Sequence, residues 1–382
     1  MGYFRTICYL VIIAALVCSC IEPYGLPENK STATYLVVDG FLDSGIGEVQ
    51  VRLTRSRALS EGGALQIETN AVIKLEEMNG NMYTLVESAN GVYSLTDLSV
   101  DPAKNYRLAI QTLDGKTYAS SFVDVAQTPA IDSVTWLPSP DGVSFRVNTH
   151  NDDPQSFRYY LWRYDETWEY TSREYSAYKY EGDTALPREA DEILYTCWSS
   201  NGSTDILVKS TDRLSANIVS QFQINKIPAG DRRLGVKYSL LVKQVCLDKE
   251  SYEFWSKLEQ TTENVGGLFD PQPGQVLGNI VCVSDPTEPA LGIFHAANVT
   301  EKRFFLSYGE LPDYLADINK PPICEIDTIL VDVLPDFPSS GNLLLNQLRE
   351  RISVIGYTYT AASCADCRFE GGTITKPLFW ED

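Results

Sequence analysis

The feature that most constrains this fold is a run of short alternating strands separated by glycine turns, which begins near residue 34. Residues 48–56, EVQVRLTRS, alternate apolar and polar side chains, as a strand with one buried face does. Residues 72–87 predict a hairpin that turns at Asn79-Gly80-Asn81, and residues 105–121 predict another that turns at Asp114-Gly115. This spacing predicts an N-terminal β-sandwich over residues 33–127.

The rest of the chain continues the strand pattern with little helix. Pro129 marks a linker, and residues 128–310 predict a second β-sandwich of immunoglobulin-like or fibronectin-like architecture. Asp248 is a good N-cap for one helix at about 249–264. Residues 311–382 are expected to form a C-terminal extension packed on the second domain, with a second helix starting near Ser340. The fold class is therefore mainly β: tandem sandwiches, one or two inserted helices and a disulfide-stapled C-terminal region.

The N-terminus has the pattern of an export signal. Arg5 precedes an apolar run from Ile7 to Val17, which is too short for the ~20 residues of a membrane span. Ser19 precedes Cys20, and this pattern resembles the bacterial lipobox. The resemblance implies a signal peptide at 1–19, lipidation of Cys20 and attachment to the lipid bilayer through its acyl chains. Residues 20–32 are expected to form a tether.

Composition and charge exclude some function classes. The formal net charge is −20, so the chain is not expected to bind nucleic acid. The two histidines, His150 and His295, stand in no hydrolase signature, and we expect both to be structural or surface residues. Among 51 acidic residues no spacing selects a catalytic pair. We therefore expect no catalytic residue, metal site or cofactor.

The cysteines suggest disulfides. Beyond Cys20 there are six, an even number in a chain that we expect to be exported. Cys364 and Cys367 form a C-x-x-C pair followed by a non-helical, Gly-containing stretch, which favours a structural staple over a redox or zinc site. Cys324 is a plausible partner for one member of this pair.

An aromatic segment suggests a binding surface. Ten of the 24 residues from Phe157 to Tyr180 are aromatic, against 11% of the whole chain. A strand core explains about half of them, and clustered exposed Trp and Tyr mark binding surfaces. Packing against a neighbouring domain is the alternative. The candidate ligand-binding residues are Trp162, Trp168, Tyr170, Tyr175 and Tyr178.

Long blocks of the chain resemble a known family. These blocks are SYEFWSKLEQTTENVGGLFDPQPGQVLGNI (251–280), PTEPALGIFHAANVTEKRFFL (286–306) and CADCRFEGGTITKPLFW (364–380). They are similar to the Bacteroidota outer-membrane lipoproteins grouped as domain of unknown function 4249. His295, Cys246 and Cys282 depart from that pattern, and a Cys246–Cys282 pairing would be a local addition.

The resemblance also implies a class of function. Such lipoproteins are regarded as accessories of TonB-dependent receptors, so we expect a non-enzymatic binding or accessory subunit of an uptake system. It would be anchored in the outer membrane, on either the cell-surface or the periplasmic face, with a TonB-dependent barrel as a partner. The alternatives are a structural or adhesive cell-surface protein and, third, an enzyme that processes glycans or peptides.

Overall fold

The computed structural model describes residues 34–57, 66–263, 276–315 and 323–381. The predicted signal peptide, the lipidated Cys20 and the tether at 20–32 lie outside these residues. The described part is mainly β, which confirms the predicted fold class. None of its helices combines the length and the apolar character needed to cross a membrane.

Ten strands precede the predicted linker. In chain order they are β1 (Leu36–Asp43), β2 (Glu48–Arg55), β3 (Gln66–Ile67), β4 (Val72–Glu77), β5 (Met82–Thr84), β6 (Val86–Ala89), β7 (Val92–Leu95), β8 (Asn105–Gln111), β9 (Thr117–Ser120) and β10 (Val123–Ala126). Both predicted hairpins are present, as β4–β5 and β8–β9.

The elements of the middle region include the one long helix that the structure describes. They are β11 (Ile131–Ser139), β12 (Gly142–Asn151), β13 (Tyr159–Thr171), β14 (Tyr178–Glu181), β15 (Thr184–Pro187), β16 (Thr196–Gly202), β17 (Leu207–Ser210), β18 (Asn217–Pro228), β19 (Lys237–Leu247) and α1 (Lys249–Glu263). The predicted cap of α1 is present, because Asp248 Oδ1 accepts a hydrogen bond from the Ser251 N–H at 2.7 Å.

The remaining strands join the N-terminal sandwich, the second sandwich and a small C-terminal sheet. They are β20 (Ile280–Cys282), β21 (Leu291–Ala297), β22 (Thr300–Ser307), β23 (Asp327–Leu330), β24 (Asn342–Glu350), β25 (Ser353–Ala361) and the short helix α2 (Ala362–Ala365). Short 3-10 turns lie at Ala190–Glu192, Arg232–Leu234, Tyr308–Glu310, Asp313–Leu315, Val331–Asp336 and Cys367–Glu370.

The N-terminal sandwich contains two strands from far along the chain. One sheet has the order β21-β1-β2-β7-β6, the other contains β5-β4-β8-β9-β20, and β10 pairs with both β8 and β21. β21 runs parallel to β1, with Val37 opposite Leu291 and Phe41 opposite His295. The structure therefore places residues 280–297 in the first sandwich, whereas the predicted boundary assigned them to the second.

The second sandwich is antiparallel. One of its sheets has the order β11-β12-β18 and packs on a larger sheet. In the larger sheet β13 pairs with β19 along one edge and with β16 and β17 along the other, and β22 pairs with the far edge of β19. Phe145, Trp162 and Tyr238 are fully buried in its core. Helix α1 lies on the outer face of the larger sheet, where Tyr252 stacks on Tyr159 with ring centroids 4.9 Å apart.

The C-terminal unit is a small sheet with the order β23-β25-β24. The predicted helix near Ser340 is wrong, because residues 342–361 form the hairpin β24–β25, which turns at Arg351 with φ of 56°. At Gly356 a Cβ atom would lie only 2.5 Å from the Ile329 carbonyl oxygen, so the close approach of β23 to β25 requires glycine there.

The C-terminal tail packs on the second sandwich, as an extension of that domain is expected to do. Thr373 exchanges two backbone hydrogen bonds with Trp198 on β16. The Trp380 indole N–H donates to Glu169 Oε2 on β13 at 2.9 Å. The tail is thus fixed along the larger sheet.

Candidate functional site

A cleft lies where the N-terminal sandwich meets the second sandwich. Its volume is about 570 Å³. One wall comes from the outward-facing side chains of β1, β2 and β21, and the other comes from β13, β19 and β22. The residues that line it include Asp39, Phe41, Asp43, Arg52, Leu161, Arg163, Asp165, Lys243, Val245, His295, Val299 and Glu301.

His295 is the unusual residue of this cleft. It lies on β21 opposite Phe41 of β1, and the two ring centroids are 4.8 Å apart. Its side chain is almost entirely buried, and its Nδ1 has no hydrogen-bond partner among the described residues. Burial first, and then the nearby charge of Arg163, lower the pKa of His295 to about 3. The imidazole is therefore neutral at physiological pH.

Charged side chains of both signs surround the cleft. On the second sandwich, Arg163, Lys243 and Glu301 stand opposite one another across three neighbouring strands. Lys243 Nζ pairs with Asp165 Oδ2 at 2.8 Å. On the other wall Asp39 faces Arg52 across β1 and β2. In the described part of the chain, Arg163, Glu301, Asp39 and Arg52 form no ion pair within 4.0 Å, and the Arg163 guanidinium lies over the Trp255 ring, 5.6 Å from its centroid.

The predicted aromatic binding surface is not present. Trp162 is fully buried, and its indole N–H donates to Gln244 Oε1 at 2.8 Å. Tyr170 is also buried and donates its hydroxyl hydrogen bond to the Cys367 carbonyl at 3.0 Å. Trp168 packs beside Tyr170 against the C-terminal tail. Tyr178 packs on Tyr357 of the C-terminal sheet.

Of the five predicted ligand-binding residues, only Tyr175 is substantially exposed, at 44%. The prediction of a ligand surface at Trp162, Trp168, Tyr170 and Tyr178 is therefore wrong. Packing against neighbouring parts of the chain, the alternative given above, explains these residues.

The cysteines form two disulfides that the sequence indicated only in part. Cys324 bonds to Cys364, one of the two partners that the sequence allowed for it, and Cys367 bonds to Cys197, which sequence reasoning left unassigned. The C-x-x-C pair is thus not bonded to itself. The predicted pairing of Cys246 with Cys282 is wrong, because both thiols are free and buried. Cys246 lies in the core of the second sandwich and Cys282 in that of the first.

His150 does not line this cleft. Its exposed Nδ1 lies 2.7 Å from Asp132 Oδ2, and this hydrogen bond raises the pKa of His150 above its ordinary value. Within the described ranges, no three His, Cys, Asp or Glu side chains converge as metal ligands do.

Sequence reasoning missed the cleft, although one signal for it existed. Residues 39, 41 and 43 of β1 are Asp, Phe and Asp, all on the strand face opposite to the buried Leu36, Val38 and Leu42. A bulky aromatic between two acids on the outward face is a weak sign of a second packing surface. Nothing local revealed that β21, β13 and β19 would lie beside it.

A model of the family described as Domain of unknown function (DUF4249) matches residues 21–303. No curated protein matches the chain. Among solved structures, a DUF4785 family protein from Legionella pneumophila is similar at 12% identity over 57% of this chain and 54% of that chain, with a TM-score of 0.20. The matched region spans about half the length of that structure, and a TM-score this low does not establish a shared fold.

Proposed function

The chain belongs to the DUF4249 family, and from this premise we propose that it is a lipid-anchored, non-enzymatic binding lipoprotein of the bacterial outer membrane. In this proposal it serves as an accessory subunit of a TonB-dependent uptake system. Its N-terminal cysteine holds it at the bilayer, and its two sandwiches present a binding cleft.

The cleft between the sandwiches is the observation that carries the proposal. Its volume of about 570 Å³ lies within the range of sites that bind small molecules. It is lined by the buried, neutral His295 and, on both walls, by charged side chains that form no ion pair with other described residues.

The anchor is tested by changing one cysteine. Cys20→Ser should release the protein from the membrane fraction, because the thiol that would carry the lipid is gone. Cys18→Ser is the matched control, since it removes a thiol two residues away and should leave the protein membrane-bound. Equal membrane retention of both variants would contradict the anchor at Cys20.

The accessory role is tested by affinity purification from outer membranes in mild detergent, with a C-terminal tag on the native protein. We expect a TonB-dependent barrel to co-purify in near-equal amount. Recovery of the protein alone would contradict the accessory role. Recovery of other envelope proteins without a barrel would instead support the structural or adhesive alternative.

A further inference from the structure

The charges around the cleft restrict what can fill it. A ligand that fills the space displaces water from the Arg163 and Arg52 guanidinium groups and from the Asp39 and Glu301 carboxylates. Removing an ion from water without a counter-charge costs several kcal/mol. A neutral ligand would leave both signs uncompensated, and an anion or a cation would leave one sign uncompensated. A ligand that carries both an ammonium and a carboxylate group compensates both.

The rest of the lining adds an apolar and a polar requirement. Phe41, Leu161, Val245 and Val299 line the cleft with aromatic and aliphatic surface. His295 adds a neutral imidazole to this lining.

We propose that the cleft binds a zwitterionic amino acid or short peptide with an apolar side chain. Arg163 pairs with its carboxylate, and Asp39 or Glu301 pairs with its ammonium group. The apolar side chain lies against Phe41. This assignment of a ligand class rests on the binding function proposed above.

The first test compares ligands that differ only in charge. Isothermal titration calorimetry with the protein lacking residues 1–20 uses leucyl-leucine, N-acetyl-leucyl-leucine, leucyl-leucine amide and N-acetyl-leucyl-leucine amide as probes. We expect leucyl-leucine to bind at least about tenfold more tightly than the three probes that lack one or both charges. Equal binding of the uncharged probe would overturn the ligand class.

The second test uses matched arginine variants. Arg163→Gln should weaken leucyl-leucine binding by about tenfold or more, because it removes the partner of the carboxylate. Arg213→Gln removes an exposed arginine that does not line the cleft and should leave binding unchanged. Equal affinities of the Arg163 and Arg213 variants would contradict the assigned site.

The outcomes separate this inference from the accessory role. If no zwitterion binds but a barrel still co-purifies, the ligand class is wrong and the accessory role stands. If leucyl-leucine binds as expected but no barrel co-purifies, the ligand class stands and the accessory role is wrong.

Discussion

His295 is buried beside Phe41 and has an Nδ1 atom without a hydrogen-bond partner among the described residues. Such an arrangement lowers the stability of the folded protein, because the nitrogen loses its hydrogen bonds to water without gaining a partner.

Replacing His295 with leucine should stabilise the empty protein. His295→Leu fills a similar volume and removes the unsatisfied nitrogen, so we expect the free energy of unfolding to rise by about 1–2 kcal/mol. Urea denaturation at pH 7 measures the change. His150→Leu, at an exposed site, should stay within about 0.5 kcal/mol of wild type. A loss of stability in His295→Leu would mean that the nitrogen is satisfied in the empty protein.

The same residue should make stability depend on pH. Its pKa is about 3 in the folded protein, below the ordinary value of 6.5 that applies in the unfolded chain. Below pH 6.5 the unfolded chain therefore takes up a proton that the folded protein does not accept until about pH 3. The contribution of His295 is complete above pH 6.5 and is lost as the pH falls, by roughly 1.4 kcal/mol per unit.

Comparison of wild type with His295→Leu measures this contribution. The stability advantage of the variant should grow between pH 7 and pH 4.5, as followed by urea denaturation at each pH. Parallel stability curves would show that His295 does not titrate differently in the folded and unfolded states.

At the residue scale, sequence reasoning succeeded where the local chemistry was decisive. Asp248 was identified as a helix cap because its carboxylate and the following helical pattern lie within four residues. Trp162 and Tyr170 were misassigned because their burial depends on a remote strand and a remote tail. His295 was expected to be structural, and only the arrangement of five other strands reveals its cleft.

At the scale of elements, turn chemistry decides what the sequence can predict. The β4–β5 hairpin was predicted because Asn79 can adopt the positive φ that its turn requires, and it has φ of 56° in the structure. The β24–β25 hairpin was mistaken for a helix because it turns at Arg351, a residue that does not signal a turn. Its apolar residues also fit a helical period.

The disulfide between Cys197 and Cys367 connects β16 to the C-terminal tail across 170 residues. In the loop-entropy description, a cross-link that closes so long a loop stabilises the folded state by up to about 5 kcal/mol. The double variant Cys197→Ala/Cys367→Ala should therefore unfold at a markedly lower urea concentration. Cys246→Ala/Cys282→Ala, which removes two buried thiols but no cross-link, should have a smaller effect.

Thiol counting checks the same pairing. A chain that begins at residue 21 has six cysteines. In denaturant without reductant, two thiols should react, those of Cys246 and Cys282, and after reduction all six should react. Reaction of four thiols before reduction would contradict one of the two disulfides.

At the scale of the whole molecule, the two sandwiches are interleaved along the chain. The chain leaves the first sandwich after β10, builds most of the second, returns to add β20 and β21 to the first, and then adds β22 to the second. Local patterns could not predict this order, because the pairing of β1 with β21 joins residues about 250 positions apart and has no turn signal. The β1–β21 pairing also places His295 in the cleft.

This interleaving predicts that the two sandwiches unfold together. All six tryptophans lie at or beyond residue 136, outside the strands of the N-terminal sandwich, so their fluorescence reports on the rest of the molecule. Leu108→Ala removes a fully buried side chain from the N-terminal core, at a cost of about 2–5 kcal/mol. Because β21 and β22 are separated by only two residues, loss of the first sandwich should disrupt the second.

Urea unfolding of Leu108→Ala, followed both by tryptophan fluorescence and by far-ultraviolet circular dichroism, tests this coupling. We expect both transitions to shift by the same amount and to stay coincident with each other. Val147→Ala, an equally buried position in the second sandwich, is the matched control and should shift both signals in the same way. A tryptophan transition that stays at its wild-type midpoint in Leu108→Ala would show that the sandwiches unfold independently, so that the cleft between them could open without loss of either core.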